Sequence, residues 1–370
     1  MTTVLVTGGM GFIGSHTVDL LVKRGHEVVV LDNLERQVHR GRKPDYLNPD
    51  ATYIIGDIRF RKHWLRALKN VGAVIHLAGS VGIGQSFWEA KKYADVNVGG
   101  TAMLYEILTK EPSIRGHIDK VVVAASKSSY GEGVYQCPDH ETFHPEQRPA
   151  SQLKKGEWEV MCPRCGKNAT PLGIREDTPM QSLNPYSITK HAVERLAMGF
   201  SSALGIDTVA LRYFNVYGPR QSLNNPYTGV MAIFLSRLQS GHQPFLFEDG
   251  GQLRDYIYVE DVAKVNVTAL TKGSGSINVG TGKPTSLKGV VSILDDALGS
   301  NIKPVISGEF RPGDNRHDFA NLDLFEETFG NTSFTPMSSG IKDLVKWSAT
   351  APIHDMFEKE ERERKRFLPT

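Results

Sequence analysis

The segment that most constrains this chain is Thr7-Gly8-Gly9-Met10-Gly11-Phe12-Ile13-Gly14. It follows Val4-Leu5-Val6, a short aliphatic run that reads as a buried strand. It leads into apolar residues at helical spacing, from Phe12-Ile13 through Val18, Leu20-Leu21 and Val22. Glycine at positions 8, 11 and 14 lets a backbone approach a pyrophosphate closely, and a helix N-terminus adds N–H donors and partial positive charge. Spacing alone is a weak signal, but Asp32 ends the next strand-like run, about 20 residues on, where an acid bonds an adenosine ribose. A bound dinucleotide is the expectation. Asp32 favours NAD over NADP, because a carboxylate repels a 2′-phosphate; Arg36 is near enough in sequence to soften that preference. Asp57, after Ile55-Gly56, is placed either to reach an adenine edge or to cap a helix.

Strand-like runs at 4–6, 28–31, 53–55, 74–77, 121–124 and 208–212 alternate with helical stretches. That alternation predicts an α/β fold, a Rossmann-type doubly wound parallel sheet. A further short strand over 277–280 is placed to return to the sheet. The expected organisation is a NAD-binding domain over 1–216, with 254–283 returning to it. A smaller C-terminal substrate lobe is expected over 217–253 and 284–350. The charge run 358–366, in a tail over 351–370, reads as a solvated helix or frayed end. With 370 residues and 40% hydrophobic content, the chain can bury a sizeable core. A net charge of +2 gives no global field drawing it to nucleic acid or membrane. No apolar run reaches the roughly 18 residues of a spanning helix, and the start has no signal-peptide pattern. Three cysteines do not make a disulfide framework, so a cytoplasmic setting is expected.

Residues 135–173 break the alternation and hold all three cysteines. A structureless loop of that length is unexpected inside a compact domain, so the segment needs its own organising device. Cys137-Pro138-Asp139-His140 and Cys162-Pro163-Arg164-Cys165-Gly166 have the ligand spacing of a zinc ribbon in which one Cys is replaced by His. Cys137, His140, Cys162 and Cys165 form the expected site, with His144 as the rival fourth ligand. Four protein ligands leave no open position, so such a zinc is structural.

Near the middle of the chain stands Asn184-Pro185-Tyr186-Ser187-Ile188-Thr189-Lys190. Tyr186 and Lys190 are four apart on a predicted helix and share one face. An ammonium beside a phenol lowers the phenol from its ordinary value of about 10, which makes Tyr186 a candidate general base.

Taken in order, these motifs resemble an extended short-chain dehydrogenase/reductase of the nucleotide-sugar epimerase/dehydratase branch. The matching stretches are Thr7 to Gly14, Asp32-Asn33-Leu34, Gly56-Asp57-Ile58, His76-Leu77-Ala78-Gly79, Asn97 with Gly100-Thr101, and Ser126 through Tyr130-Gly131. They continue with Tyr186 and Lys190, Arg212 through Arg220, Arg254-Asp255-Tyr256, Asp261-Val262-Ala263 and Arg311-Pro312-Gly313-Asp314. The resemblance covers nearly the whole chain apart from the Cys-bearing insert. It implies that Ser126, four residues before Tyr130-Gly131, is the catalytic hydroxyl beside Tyr186, with Ser128 as an alternative. It implies that Lys190 holds the nicotinamide ribose. Gly8, Gly11, Phe12, Ile13, Gly14, Asp32, Asn33, Asp57, Ile58, Leu77, Ala78, Gly79 and Asn97 fall at cofactor positions. Ser126, Ser128, Asn215, Arg220, Arg254, Arg311 and Asp314 fall at nucleotide-sugar positions, and the arginines suit phosphate forks. Tyr213 and Phe214 read as core.

Members of this family oxidise C4 of the sugar and then diverge. Dehydratase relatives carry Thr-Asp-Glu where this chain has Ser126-Lys127-Ser128, and decarboxylases carry a Glu at the place of Ser128. With those carboxylates missing, the resemblance implies 4-epimerisation of a dTDP- or UDP-hexose. The insert and Asn225-Pro226-Tyr227-Thr228-Gly229 look like enzymes close to the dTDP-L-rhamnose 4-epimerases. Homodimers paired through helices are common in the family; Ile188, Ala192, Leu196 and Met198 would offer apolar surface on the Tyr186 helix. Two rival functions are a dehydratase or other 4-keto-forming enzyme, and a non-catalytic NAD-sensing scaffold with the Cys insert as its partner module.

Overall fold

A computed structural model describes residues 2–311 and 313–368. Seven strands make its central sheet, and the inner ones are buried on both faces: β1 (Thr3–Thr7), β2 (Glu27–Asp32), β3 (Thr52–Ile55), β4 (Ala73–His76), β5 (Lys120–Ser126), β6 (Asp207–Tyr213) and β7 (Gly275–Val279). All pairings are parallel, in the order β7-β6-β5-β4-β1-β2-β3. Successive strand side chains face opposite ways. On β1, Val4 and Val6 enter one core and Leu5 the other; on β5, Val122 and Ala124 oppose Val121, Val123 and Ala125. Strands buried on both faces therefore read as unbroken aliphatic runs. The first core is closed by α1 (Phe12–Lys23) and the Val259–Thr268 helix, and the second by helices that include Gly100–Lys110 and Pro185–Leu204. The expected run at 277–280 is β7, paired with β6.

The order of strands creates the site. The chain winds outward from β1 through β2 to β3, then returns to lay β4 on the other side of β1. At such a switch point the carboxyl ends of the two strands open a crevice. Gly8, at φ +69, comes so close to the loop after β4 that a Cβ there would lie 2.8 Å from the Ala78 nitrogen.

The smaller lobe is built on Leu253–Tyr258, which pairs in parallel with Asn215–Tyr217 and with His317–Asp318, and antiparallel with Pro284–Ser286. Of residues 254–283, the helix packs on the main sheet and β7 is its edge strand, while Leu253–Tyr258 belongs to this second sheet. Phe234, Leu235, Tyr258, Leu294 and Leu344 fill its core.

The Cys-bearing segment has its own three-stranded antiparallel sheet, with Val134–Gln136 between Thr142–Phe143 and Thr170–Leu172. Tyr135, Val160 and Ala169 form its small core.

The charge run near the end differs from expectation. It is a helix, Phe357–Phe367, but a docked one: Phe357, Glu360, Glu361 and Arg364 are buried. Arg364 pairs with Glu361 and Glu309 and lies over the Phe247 ring. Phe367 packs on Trp88, and the Tyr227 hydroxyl donates to Glu363. The acids and bases sit three or four apart and satisfy one another, which frees one helix face to pack. Burial raises the Glu360 carboxyl to about 7, against the pull of Arg311. No helix among the described residues is long and apolar enough to cross a membrane.

Candidate active site

The turn after β1 is shaped by close backbone approach. A Cβ on Gly14 would lie 2.1 Å from the Gly8 carbonyl oxygen. Gly11 caps α1 without any side-chain acceptor, so the first-turn N–H groups of the helix stay open. Phe12 and Ile13 turn their side chains into the core, leaving their backbone N–H groups as what the turn offers. Asp32 accepts from the Met10 amide at 3.0 Å and the Leu34 amide at 2.9 Å, which fixes its carboxylate at the end of β2. A glycine cradle, open helix donors and a fixed acid suit a dinucleotide.

Asp57 lies beside Asn33, whose amide donates to it at 3.3 Å. The next helix is capped at Phe60 instead, so Asp57 is not its N-cap. Burial raises the Asp57 carboxyl, but its hydrogen bonds from Arg59 and Asn33 outweigh that and hold it below the usual range. Ile58 is core: its carbonyl accepts from the Trp64 indole at 2.6 Å, and its side chain packs on Gly100.

Leu77, Ala78 and Gly79 form the loop after β4 and hang on Thr7, through Leu77 N to Thr7 O at 3.2 Å and Ala78 N to Thr7 Oγ1 at 3.2 Å. Asn97 sits in a π-helical turn, Ala94–Gly99, a rare geometry that clusters at functional sites. Its buried amide accepts from Ser80 N at 2.7 Å and donates to Ser80 O at 3.1 Å and Thr189 Oγ1 at 3.0 Å. It therefore ties this loop to the helix bearing Tyr186. His76 bridges Thr7 and Thr101 at 2.7 and 3.1 Å, and burial lowers it to about 3, so it stays neutral.

The Pro185–Leu204 helix starts with a full capping box: Asn184 Oδ1 accepts from Ser187 N at 2.9 Å, and Ser187 Oγ accepts from Asn184 N at 3.0 Å. Pro185 at its first position and Gly205 after its end, at φ +66, complete the stop and start signals. The cap places Tyr186 on the first turn, facing the end of β5. Ser126 ends β5 and caps a short turn, accepting from Ser128 N at 3.2 Å and Ser128 Oγ at 2.9 Å.

The electrostatics differ from the simple Tyr–Lys expectation. Burial raises the Tyr186 phenol above its ordinary value, with a Ser126 hydrogen bond in partial opposition. Burial also lowers Lys190 to about 8. The Lys190 ammonium donates to the Ala124 carbonyl of β5. Desolvation therefore sets the direction of the shift, and a buried phenol raised in this way needs positive charge beside it to become a base near neutral pH.

On the smaller lobe, Asp318 is an anion hub that sequence reasoning missed. It accepts from Lys127 at 2.5 Å, Asn315 at 2.7 Å and Asn215 at 3.5 Å, and Arg254 lies 3.3 Å away. Arg254 also donates to the carbonyls of Asn315 and Arg316. Arg311 pairs with Asp314 at 2.8 Å and lies over Phe247. A small cleft is lined by Lys127, Ser128, Gly131, Leu183, Asn184 and Asn315. Arg220 stands apart from this group: it pairs with Asp19 at 2.7 Å and stacks over Tyr46, against α1. Tyr213 and Phe214 are buried, as expected of core.

The Cys/His cluster assembles in the insert. Cys137 Sγ lies 3.3 Å from His140 Nδ1 and 3.7 Å from Cys165 Sγ, and Cys162 Sγ lies 3.6 Å from His140 Nδ1. All four ligand atoms fall within 4.8 Å of one another, and His140, not His144, is the nitrogen ligand of the group. The Cys162–Cys165 turn closes as a knuckle through Gly166 N to Cys162 O at 2.9 Å, with Gly166 at φ +70. A tetrahedral zinc with bonds of roughly 2.3 Å to sulfur sets sulfur–sulfur edges of roughly 3.8 Å, so this donor set fits one.

Comparison with known proteins agrees with this geometry. The sequence model of the NAD dependent epimerase/dehydratase family matches residues 4–152 and 163–280, and its interruption falls inside the insert. The chain is 34% identical over 357 residues to a dTDP-L-rhamnose 4-epimerase of Burkholderia thailandensis, covering 94% of each chain. It is 32% identical to a putative UDP-glucose 4-epimerase of Methanocaldococcus jannaschii, covering 93% of this chain and 97% of that one. Among solved structures, UDP-glucose 4-epimerase of Thermotoga maritima with UDP-glucose superposes with a TM-score of 0.74 at 29% identity, covering 94% of this chain and 98% of that one. The Thermus thermophilus UDP-glucose 4-epimerase in complex with NAD gives a TM-score of 0.74 at 28% identity, covering 95% and 100%.

Proposed function

Because this chain belongs to the NAD dependent epimerase/dehydratase family, we propose that it inverts C4 of a nucleotide-diphosphate hexose, a dTDP- or UDP-sugar, through a transient 4-keto sugar. The observation that carries this reading is the Ser126–Lys127–Ser128 turn. It brings two hydroxyls, 2.9 Å apart, to the Tyr186 side, while its Lys127 ammonium binds the carboxylate that reaches the turn, Asp318, which Arg254 and Asn315 also hold. A hydroxyl-rich turn with its acid neutralised suits proton exchange at one oxygen better than expulsion of water. The 34% identical relative bears a 4-epimerase name, which supports the same reading.

NAD, when bound, supplies the hydride acceptor, the later hydride donor and a positively charged ring. Gly8, Gly11 and the open N–H groups of α1 would hold its pyrophosphate, Asp32 its adenosine ribose and Lys190 its nicotinamide ribose. Ser126 would hydrogen-bond the sugar 4-oxygen and orient it toward Tyr186. Tyr186 would take the 4-OH proton and later return it, so its phenol ends each turnover as it began. Arg254, Arg311 and Asn215 would anchor the diphosphate while the keto sugar turns over. Ser128 would support Ser126. The cluster of Cys137, His140, Cys162 and Cys165 would hold a closed structural zinc. The Pro185–Leu204 helix, with Ile188 exposed, is read as a homodimer face, and the cytoplasm as the setting.

The test is a panel of UDP- and dTDP-hexoses incubated with the purified protein and NAD, with products read by mass and NMR. A product of unchanged mass inverted at C4 is expected, and Tyr186→Phe should lower its rate about 10²- to 10⁴-fold with NAD binding retained. A product lighter by one water would refute epimerisation and make the enzyme a dehydratase.

A further inference from the structure

The Cys/His insert does more than sit beside the sheet. Arg148, buried in the middle of it, reaches out of the insert in three directions. Its Nε donates to Glu132 at 3.0 Å, its two Nη groups donate to Glu248 at 3.1 and 2.9 Å, and it also reaches the Trp158 carbonyl at 2.8 Å and the Asp314 carbonyl at 3.3 Å. Glu132 follows the Ser126–Gly131 turn directly and is fully buried. Its other oxygen accepts from the Arg316 backbone amide at 2.7 Å.

A second clasp comes from Glu159, three residues before Cys162. It accepts from Arg316 at 2.6 and 3.0 Å and pairs with His317 at 2.9 Å. Arg316 in turn binds Glu248 at 2.9 Å and Asp249 at 2.7 Å. His317 Nδ1 accepts from the Leu253 amide at 3.1 Å. The residues so fixed flank Arg254, Asp314 and Asp318. The links made by Arg148, Arg316 and Glu159 are charge-assisted, and Arg148, Arg316, Glu132 and Glu248 are nearly or fully buried, so these links are strong and directional.

Metal ligands lie at both ends of this arrangement. Cys137 follows the strand Val134–Gln136 that starts two residues after Glu132, and Cys162 follows Met161, bridged to Asn168, three residues after Glu159. We propose that the metal-bearing insert is an interlobe clamp, in which Arg148 and Glu159 act as positioning residues for the 313–318 segment. The metal then sets affinity for the nucleotide sugar and leaves the dinucleotide side untouched. Among the described residues, no hydrogen bond or ion pair joins the α1 turn, Asp32 or the loop after β4 to this network. The inference rests on the reading of Arg254, Arg311 and Asp314 as diphosphate-side residues.

Glu159→Gln tests it, because Glu159 is only half-buried and the amide keeps its shape. The KM for the nucleotide sugar should rise about tenfold, ~1.4 kcal/mol, with kcat and NAD affinity within about twofold of the parent. Removing the metal from the NAD-loaded full chain with a chelator, and confirming its loss by atomic emission, should give the same rise in KM. It should also speed amide hydrogen exchange over 313–318. A lower melting temperature with KM unchanged would mean a purely structural insert and overturn the proposal. So would a metal-free, folded chain with parental KM, or exchange over 313–318 that ignores the metal. If the wild-type chain turns over no nucleotide sugar, the proposed function fails, and the exchange experiment alone still decides the clamp.

Discussion

Gly14→Ala is the sharpest probe of the dinucleotide turn. A Cβ at this position would lie 2.1 Å from the Gly8 carbonyl oxygen, 2.7 Å from Gly9 Cα and 2.8 Å from the Gly8 carbonyl carbon. Non-bonded carbons rest at about 3.5–4.0 Å, so the α1 N-terminus has to back away from Gly8 by roughly 1 Å. The obstacles are backbone atoms, which cannot rotate aside. Overpacking of this kind costs about 1–3 kcal/mol. The strain falls where open N–H groups are to meet a pyrophosphate, so most of it should appear in cofactor binding. At 2–3 kcal/mol the expected loss of NAD affinity is roughly 30- to 140-fold. Calorimetric titration with NAD measures it directly. Gly199→Ala is the matched control: Gly199 is exposed in the Pro185–Leu204 helix with nothing within 4 Å of its added Cβ. That change should leave NAD affinity alone and stabilise the protein by about 0.5–1 kcal/mol. If Gly14→Ala binds NAD within about threefold of wild type, ~0.7 kcal/mol, the pyrophosphate does not lie on this turn.

Two further outcomes follow from buried charges. Lys190 is held at about 8 by burial, below its ordinary 10.5, so its ammonium is available to a ribose only below that pH. NAD affinity should fall as pH rises through about 8. The unfolded chain binds the extra proton between about 8 and 10.5, so this group's contribution to stability grows with pH across that window. Urea unfolding of wild type and Lys190→Met at several pH values should show that slope only in wild type. Glu194→Gln breaks the buried pair with Arg212, bonded at 2.9 and 2.5 Å, and loosens Ser276 of β7 at 2.8 Å. Leaving Arg212 buried without its counter-charge should cost about 3–5 kcal/mol in urea unfolding, and a loss under ~1 kcal/mol would show that water reaches the pair.

The sheet was legible in the sequence because its inner strands are buried on both faces, and such runs stand out as aliphatic segments between glycines. The Tyr186 helix was read from the four-residue spacing of Tyr186 and Lys190, while the Asn184–Ser187 capping box that starts it emerged only in the structure. The metal ligands were legible because a knuckle fixes ligand spacing in the chain itself. Asp318 was not. It reaches Lys127 only because His317–Asp318 pairs with Leu253–Arg254, and a two-residue strand leaves no periodic trace. Asn97 matched a motif, but its π-turn has no composition signal. The Phe357–Phe367 helix misled for a different reason. Its charges answer one another along the helix, so a formally polar segment could bury a face. Tyr186 shows the limit of pair reasoning: spacing pointed to Lys190, but desolvation, which depends on the whole fold, decided the direction of its shift.

The place of β7 in the sheet bears on how the protein is made. Its partner strand, β6, leaves the ribosome about sixty residues earlier, and at roughly 5–20 residues per second that is several seconds. Throughout that interval β6 presents an unpaired aliphatic edge, with Val209, Ala210 and Leu211 already in place on one side of a nearly finished sheet. An edge of that kind invites another nascent chain. The smaller lobe's early strands, Asn215–Tyr217 and Leu253–Tyr258, are translated in the same interval. The step most open to aggregation during biosynthesis is thus the wait for Gly275–Val279. Slowing translation just after β6 should lower soluble yield more than slowing it after β7.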